Sequence, residues 1–425
     1  MLEKMKNAWR IPELRKKIIY TFGMLLMYRL LCVIPVPGIN VSAVASAVKD
    51  YSILDFMNMM TGGSFQNMSI MAMGITPYIN SSIILQLLTV AIPALEKLAN
   101  EGPEGRKKIN EYTRYLTVVL AFIQAVGLVF AMRANSYGGV WYLVIGLSMA
   151  AGSALAMWIG ERITENGIGN GISMILFADI ISRIPTLISN MVTMLGDGSL
   201  KWYGAILIVI GMLALMAFIV FITNSERRIP VQYAKRVVGR KMYGGQSTNL
   251  PIKVNMSGVM PIIFAQALMF IPMFFTRFEA TRGFAAAFAD YTGFWYNLVF
   301  ALLVIAFTYF YTAITVNPNM MAEDMKRNGG FIPGVKPGKK TVEYLDTIMT
   351  RITLPGSIFL AIVAILPTFA MKLGINNQFA LFYGGTSLLI LVGVVLDTLQ
   401  QIESYLLLRH YDGLMKTGRI KGRVG

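Results

Sequence analysis

Long apolar runs, each closed by charged or turn-forming residues, dominate the pattern along this chain. A helix crossing a hydrocarbon core of ~30 Å needs about 20 apolar residues, at a rise of about 1.5 Å each. Ten segments approach that length: 18–34, 68–90, 113–133, 140–160, 171–189, 203–223, 256–275, 293–316, 351–370 and 381–408. Several contain Pro or Gly, which spanning helices tolerate better than soluble ones. The pattern predicts an all-α membrane protein of ten transmembrane helices.

One stretch does not fit. Residues 51–66, YSILDFMNMMTGGSFQ, contain a helix-capable run too short to cross the core, with Gly62-Gly63 placed to end it. Such a segment is either a re-entrant, cavity-lining piece or an ordinary external loop helix.

Charge changes this picture by orienting it. With the N-terminus in the cytoplasm, 29 of the 38 Lys and Arg fall on the cytoplasmic side and 7 on the other, with Arg29 and Arg351 at span ends. This positive-inside bias supports an even number of spans and two cytoplasmic termini. The basic first 17 residues, the apolar run after them and Ala45-Ser46-Ala47 resemble a secretory signal. Pro35-Val36-Pro37 ends that run well before the small residues, so residues 18–34 read as the first span.

Composition agrees. The 425 residues are 55% apolar and only 14% charged, which argues against both a water-soluble enzyme and a disordered chain. The single cysteine, Cys32, excludes an intrachain disulfide and a Cys-based metal site. A single histidine, His410, makes a His/Cys metal cluster or a buried Ser-His-Asp triad a poor reading. No metal site, cofactor or enzymatic activity is expected, and no G-x-x-x-x-G-K-[ST] nucleotide motif is present.

The chain carries traces of a duplication. Gly74-Ile75-Thr76-Pro77-Tyr78-Ile79 in the second span and Gly258-Val259-Met260-Pro261-Ile262-Ile263 in the seventh share G-x-x-P-x-I. Gly171-Ile172-Ser173-Met174-Ile175-Leu176 in the fifth and Gly385-Thr386-Ser387-Leu388-Leu389-Ile390 in the tenth share G-x-S followed by aliphatic residues. An offset of five spans is odd, so a second half of five helices would enter the membrane inverted. Inverted repeats place their functional site near the midplane between the halves. The shared residues are small, helix-perturbing or aliphatic, and none is charged.

Ion or solute conduction usually needs polar groups within the membrane. Asp179 lies within the fifth span with Arg183 at i+4 as a natural partner. Asp397 lies in the tenth, with Gln400, Gln401 and Glu403 beyond it. These carboxylates read as a cation relay or as paired structural groups, and the second reading is favoured. Gln86, Gln124 and Gln266 are single amides in apolar helices, able to form one polar seam or three separate interhelical contacts. Two long cytoplasmic loops are basic. Residues 223–255 carry Arg227, Arg228, Lys235, Arg236, Arg240, Lys241 and Lys253, and residues 317–345 carry Lys326, Arg327, Lys336, Lys339 and Lys340. They extend beyond what orientation requires, and so suit a polyanion or an acidic protein partner.

The segments IMAMGITPYINSSIILQLL (70–88), ITENGIGNGISMILFADI (163–180), ERRIPVQYAKRVVGRKMYGGQSTNLPIKVNMSGVMPIIFAQ (226–266) and FYGGTSLLILVGVVLDTLQQ (382–401) resemble the bacterial SecY family, the pore subunits of the Sec protein-conducting channel. The resemblance runs from IPELRKKIIYTFG (11–23) to the C-terminal tail. It implies two inverted five-helix halves, 18–189 and 190–408, flanked by a cytoplasmic segment 1–17 and a tail 409–425. It implies a pore ring of Ile79, Ile83, Leu176, Ile180, Ile263 and Ile390. A plug at about 54–67 would include Phe56, Met57, Met60, Gly62 and Gly63, and a lateral gate would carry Gln86, Gln124 and Gln266. The implied partners are the small membrane subunits SecE and SecG, the SecA motor ATPase, the ribosome (rRNA on the basic loops), preproteins and lipid. The implied location is the bacterial cytoplasmic membrane.

Two positions depart from the family pattern. Asp179 stands where a small residue is usual, and Lys336 stands where Arg is general. Lys keeps the charge but lacks the planar fork of Arg. The physics suits the role. A ring of aliphatic groups offers no fixed site to hold an extended substrate, and when empty it excludes water by dewetting. A sideways opening lets apolar segments choose lipid, at about −0.3 to −0.6 kcal/mol per central Leu, Ile, Phe or Val. The alternative is an inverted-repeat secondary transporter using Asp179 and Asp397 as ion carriers.

Overall fold

The computed structural model describes residues 9, 11–39, 41, 58, 61–132, 139–198, 201–233, 236–238, 241–243, 247–269, 293–372 and 385–417. Two compact units emerge, Met1–Asn190 together with Gly393–Gly425, and Met191–Val392.

The first unit is helical. It contains α1 (Pro12–Leu31), α2 (Thr76–Ala91), α3 (Pro93–Asn100), α4 (Pro103–Met132), α5 (Gly139–Asn166), α6 (Gly171–Ile181) and the start of α7 (Ile184–Gly196). Its centre is α5. Gly146, Ala150, Ser153, Ala156 and Gly160 recur at helical spacing, and all are buried. Small residues let neighbouring backbones approach where lipid supplies no hydrophobic drive. Gly160 meets the backbone at Gly171 of α6 in direct contact, and Gly152 receives the backbone carbonyl of Ile70. Beside them Leu25, Tyr28, Cys32, Met71, Ile75, Ala156, Ile159, Ile163 and Ile175 form one apolar cluster, where truncating a large side chain costs ~2–5 kcal/mol.

Breaks follow local chemistry. Helix α2 ends before Pro93, where Ile92 is extended, and α3 leaves at 107°. Helix α6 starts on Asn170, whose side chain accepts from the N–H groups of Ile172 and Ser173. It stops at Ile181, and α7 resumes with Pro185 in its first turn, so the fifth predicted span is broken and runs on to Gly196.

The second unit contains α8 (Trp202–Thr223), β1 (Glu226–Tyr233), β2 (Arg236–Val238), β3 (Lys241–Tyr243), β4 (Ser247–Lys253), α9 (Met260–Met269), α10 (Phe294–Thr315), α11 (Pro318–Arg327), β5 (Gly330–Phe331), α12 (Lys339–Lys372) and the start of α13 (Gly385–Thr417). Helix α8 buries only Ala205 and Ile219 although apolar all round, as a lipid-facing helix should. Its Phe218 meets Phe359 of α12 edge to face at 5.7 Å.

The apolar spans are helical, as expected of an all-α membrane protein, and the basic loops add short strands. Strands β4, β1 and β5 form an antiparallel sheet, and β2 pairs with β3. The reason is the alternation in Ile229-Pro230-Val231-Gln232, which buries Ile229 and Val231 and exposes their neighbours. Those two pack with Ile252, Ile332, Ala322, Met325, Leu345 and Met349, so β1 and β4 share one core with α11 and the start of α12.

Among the described residues, seven helices are long and apolar enough to cross a membrane, and the bent pair α2–α3 makes an eighth if it is one span. Helix α1 falls short because Arg15, Lys16, Lys17 and Arg29 interrupt it, and the described part of α9 is only 10 residues. The second span also differs from expectation. Residues 68–75 are turns, and the helix begins at Thr76.

Candidate functional site

The short segment that no spanning pattern could accommodate lies inside the first unit. Residues 61–75 run as turns with an isolated bridge from Ser69 to Pro35, and Asn58, Thr61, Ser64, Phe65, Met68, Ser69 and Met71 are all buried. Gly62 and Gly63 adopt φ of +60° and +93°, a region open to Gly. The side chain of Asn58 closes the turn. Its Oδ1 accepts from Gln66 N–H at 3.0 Å, and its Nδ2 donates to Gln66 Oε1 at 3.2 Å. Downstream, Val36 N–H donates to Met68 O and Ile70 N–H donates to Ile34 O, each at 2.9 Å, which joins the segment to the chain leaving α1. Phe56, Met57 and Met60, expected in the plug, lie outside the described residues.

A polar cluster holds this segment against α1 and α6. Arg29 Nη1 donates to Asp179 Oδ1 at 2.8 Å, and Tyr28 Oη donates to Asp179 Oδ2 at 3.0 Å. The other arm of the guanidinium, Nη2, donates to Gly62 O at 3.2 Å. Ser182 Oγ contacts the same carbonyl at 3.4 Å, and Arg183 Nη2 donates to Asn58 O at 3.0 Å. The i, i+4 pairing expected between Asp179 and Arg183 is therefore replaced. Asp179 forms its ion pair with Arg29 of α1, while Arg183 turns to the segment's backbone. A buried carboxylate needs every lone pair satisfied, and a local helical neighbour reaches only one side of it. Sequence reasoning missed Arg29, Tyr28, Ser182 and Asn58. The available signal was Arg29, a cation inside an apolar helix, which calls for a buried anion.

The expected ring residues divide between the two units. In the first unit Ile83 on α2 and Leu176 and Ile180 on α6 are buried, and Ile79 is half-buried. In the second unit Ile390 on α13 is buried and Ile263 on α9 is half-buried. Gln86 on α2, Gln124 on α4 and Gln266 on α9 are half-buried. Asp397 has an exposed side chain, and Gln401 accepts from Gly169 N–H at 2.9 Å. In the strand-bearing basic loops Arg227, Arg228 and Lys336 are exposed, and Arg228 pairs with Glu226 at 2.7 Å. Arg236 and Lys241 lie on β2 and β3, whereas Lys235 and Arg240 lie outside the described residues. No group of His, Cys, Asp and Glu able to hold a metal occurs among the described residues.

The two repeat motifs share local geometry. Gly74 and Gly258 both adopt a left-handed backbone, and each is followed by a helix with Pro in its first turn, Pro77 and Pro261. Together these features define a multi-pass helical membrane protein with a segment folded back among its helices.

Comparison with known proteins gives the family. The SecY family model matches residues 69–399. The protein translocase subunit SecY of Halalkalibacterium halodurans is 44% identical, over 98% of this chain and 100% of that protein. The subunit of the same name from Streptomyces scabiei is 42% identical over the same shares. The chain belongs to the SecY family. Solved structures share the fold at lower identity. A structure described as that of a protein-conducting channel aligns with a TM-score of 0.64 at 20% identity, over 92% of this chain and 93% of that one. A SecY structure described by its plug domain, which stabilises the closed state of the translocation channel, aligns with 0.64 at 19% identity over 92% of each chain. Sec61 in a canine ribosome–channel complex aligns with 0.58 at 18% identity, over 92% and 93%.

Proposed function

We infer that this chain is the pore subunit of a protein translocation channel, passing unfolded preproteins across a membrane and releasing apolar segments sideways into lipid. The observation that carries the reading is the burial of Asn58 and most of residues 61–75. This stretch packs against the C-terminal end of α6 and the turn that follows, and α6 also bears Leu176 and Ile180. A pore lined by Ile79, Ile83, Leu176, Ile180, Ile263 and Ile390 would grip no particular side chain, and residues of about 54–67 would be the plug that closes it. Burial of Ile83, Leu176, Ile180 and Ile390 within the protein supports a lining role over lipid contact. Gln86, Gln124 and Gln266 would mark the lateral gate.

The finer picture has ten spans in the bacterial cytoplasmic membrane, as halves 18–189 and 190–408, with both termini cytoplasmic. Helix within each of the ten apolar segments supports that count. The chain acts as a conduit with no chemistry of its own, so the driving energy comes from SecA or the ribosome. SecE and SecG would complete the complex. The sheet-built basic body, with Arg227, Arg228 and Lys336 exposed, offers the docking face, and the ribosome-bound Sec61 relative supports it. The transporter alternative finds no support. Asp179 is committed to Arg29 and Tyr28, and the family is a translocase family.

The test is translocation by the full chain reconstituted with its small subunits in vesicles. Addition of SecA and ATP should protect a preprotein from external protease. Absence of protection, with uptake of a small solute abolished by Asp397→Asn, would overturn the reading.

A further inference from the structure

We propose that Arg29 and Asp179 form a latch that holds the plug shut, with Asp179 a positioning residue that aims the Arg29 guanidinium at the plug backbone. The proposal rests on the reading of residues 54–67 as a plug, of which Asn58 and 61–67 are described.

Four observations carry it. First, the guanidinium bridges two structures, binding Asp179 through Nη1 and Gly62 O through Nη2. A planar fork does this and a lysine ammonium would not. Second, both carboxylate oxygens of Asp179 are engaged, by Arg29 and Tyr28, while its side chain is 3% exposed. The anion is thus fixed in place and holds the arginine in one orientation. Third, the fit at Gly62 is close. A Cβ there would meet Arg29 Nη1 at 2.5 Å, Ser182 Oγ at 2.8 Å and the Asp179 Cα at 3.0 Å. Fourth, in the turn that closes α6, Ser182 contacts Gly62 O and Arg183 reaches the carbonyl of Asn58, so the end of that helix adds two attachments to the plug. Leu176 and Ile180 lie on that same helix, one turn apart. Any movement of α6 that widens the ring therefore pulls on the bonds that keep the plug docked. Ring opening and plug release become one event, and the strength of the ion pair sets how often the empty channel opens.

The experiment uses the full chain in vesicles with Cys32→Ala as background and two reporters. Ser64→Cys sits in the plug and Ser153→Cys sits in α5, and both positions are 1% exposed. The readouts are the rate of labelling by a membrane-impermeant maleimide and the resting ion leak. Asp179→Asn and Arg29→Met should each raise Ser64→Cys labelling and leak by about tenfold or more, leaving Ser153→Cys slow. Combining them should add little, because both break one unit. Gly62→Ala should act likewise with no change of charge. Unchanged Ser64→Cys labelling in all variants, or equal acceleration at Ser153→Cys, would overturn the latch. Deletion of residues 54–67 separates the two claims. If deletion leaks and Asp179→Asn does not, the latch alone fails; if deletion does not leak, the plug reading fails first.

Discussion

Gly74 and Gly258 hold matching backbone conformations, φ +52° and +62°, two residues ahead of helices that begin at Thr76 and Met260. A left-handed residue turns the chain sharply into each helix, and Pro77 and Pro261 occupy first-turn positions where no intrahelical donor is lost. Two segments far apart in sequence thus use one device to start a helix that bears a proposed ring residue.

That device gives a stability prediction. A Cβ at Gly258 meets nothing within 4 Å, and at Gly74 nothing nearer than 3.7 Å, so the cost of Ala is conformational rather than steric. Gly74→Ala and Gly258→Ala should each destabilise by ~1–2 kcal/mol, the penalty of a left-handed non-Gly residue. Thermal unfolding in detergent measures it. A loss well above that range would point to a packing role.

The Arg29–Asp179 pair predicts a non-additive series. Arg29→Met leaves a buried carboxylate without its cation, a change that costs ~3–5 kcal/mol when a buried pair is broken. Arg29→Met with Asp179→Leu removes the charge as well and should recover most of that loss. Denaturant unfolding of the single and double variants tests this. A double variant as unstable as the sum of the singles would contradict it.

The aliphatic ring predicts a leak without loss of transport. Ile83→Asn and Ile263→Asn put polar groups where dewetting is proposed to seal the empty pore. Planar-bilayer conductance at rest should rise while preprotein export continues. Unchanged resting conductance would count against the ring.

The basic body predicts salt-sensitive docking. Charge reversal at Arg236, Arg240 and Lys336 should weaken co-sedimentation with ribosomes or SecA, most visibly at low salt, because exposed charges act through screened fields. Wild-type affinity would remove the docking role from these residues.

Much of the architecture was legible because a hydrocarbon core demands long apolar helices, and runs such as 203–223 offer nothing else. What escaped was backbone satisfied by other means. Residues 68–75 are as apolar as a helix, yet Met68 and Gly74 take positive φ, and Met68 O accepts from Val36 N–H, outside any helix. Hydropathy does not separate a buried turn from a helix. The sheet was written in the alternation of Ile229 and Val231 but read only as charge. The partner of Asp179 lay in another helix, 150 residues away, beyond any i, i+4 rule.

Crosslinking a stalled preprotein to the proposed ring tests the central claim most directly. In a Cys32→Ala background, Ile79→Cys, Leu176→Cys, Ile263→Cys and Ile390→Cys should each form a disulfide with a cysteine in the translocating segment. Leu207→Cys, on the exposed face of α8, should form none. Adducts at Leu207→Cys but at none of the four would contradict a path through the protein interior.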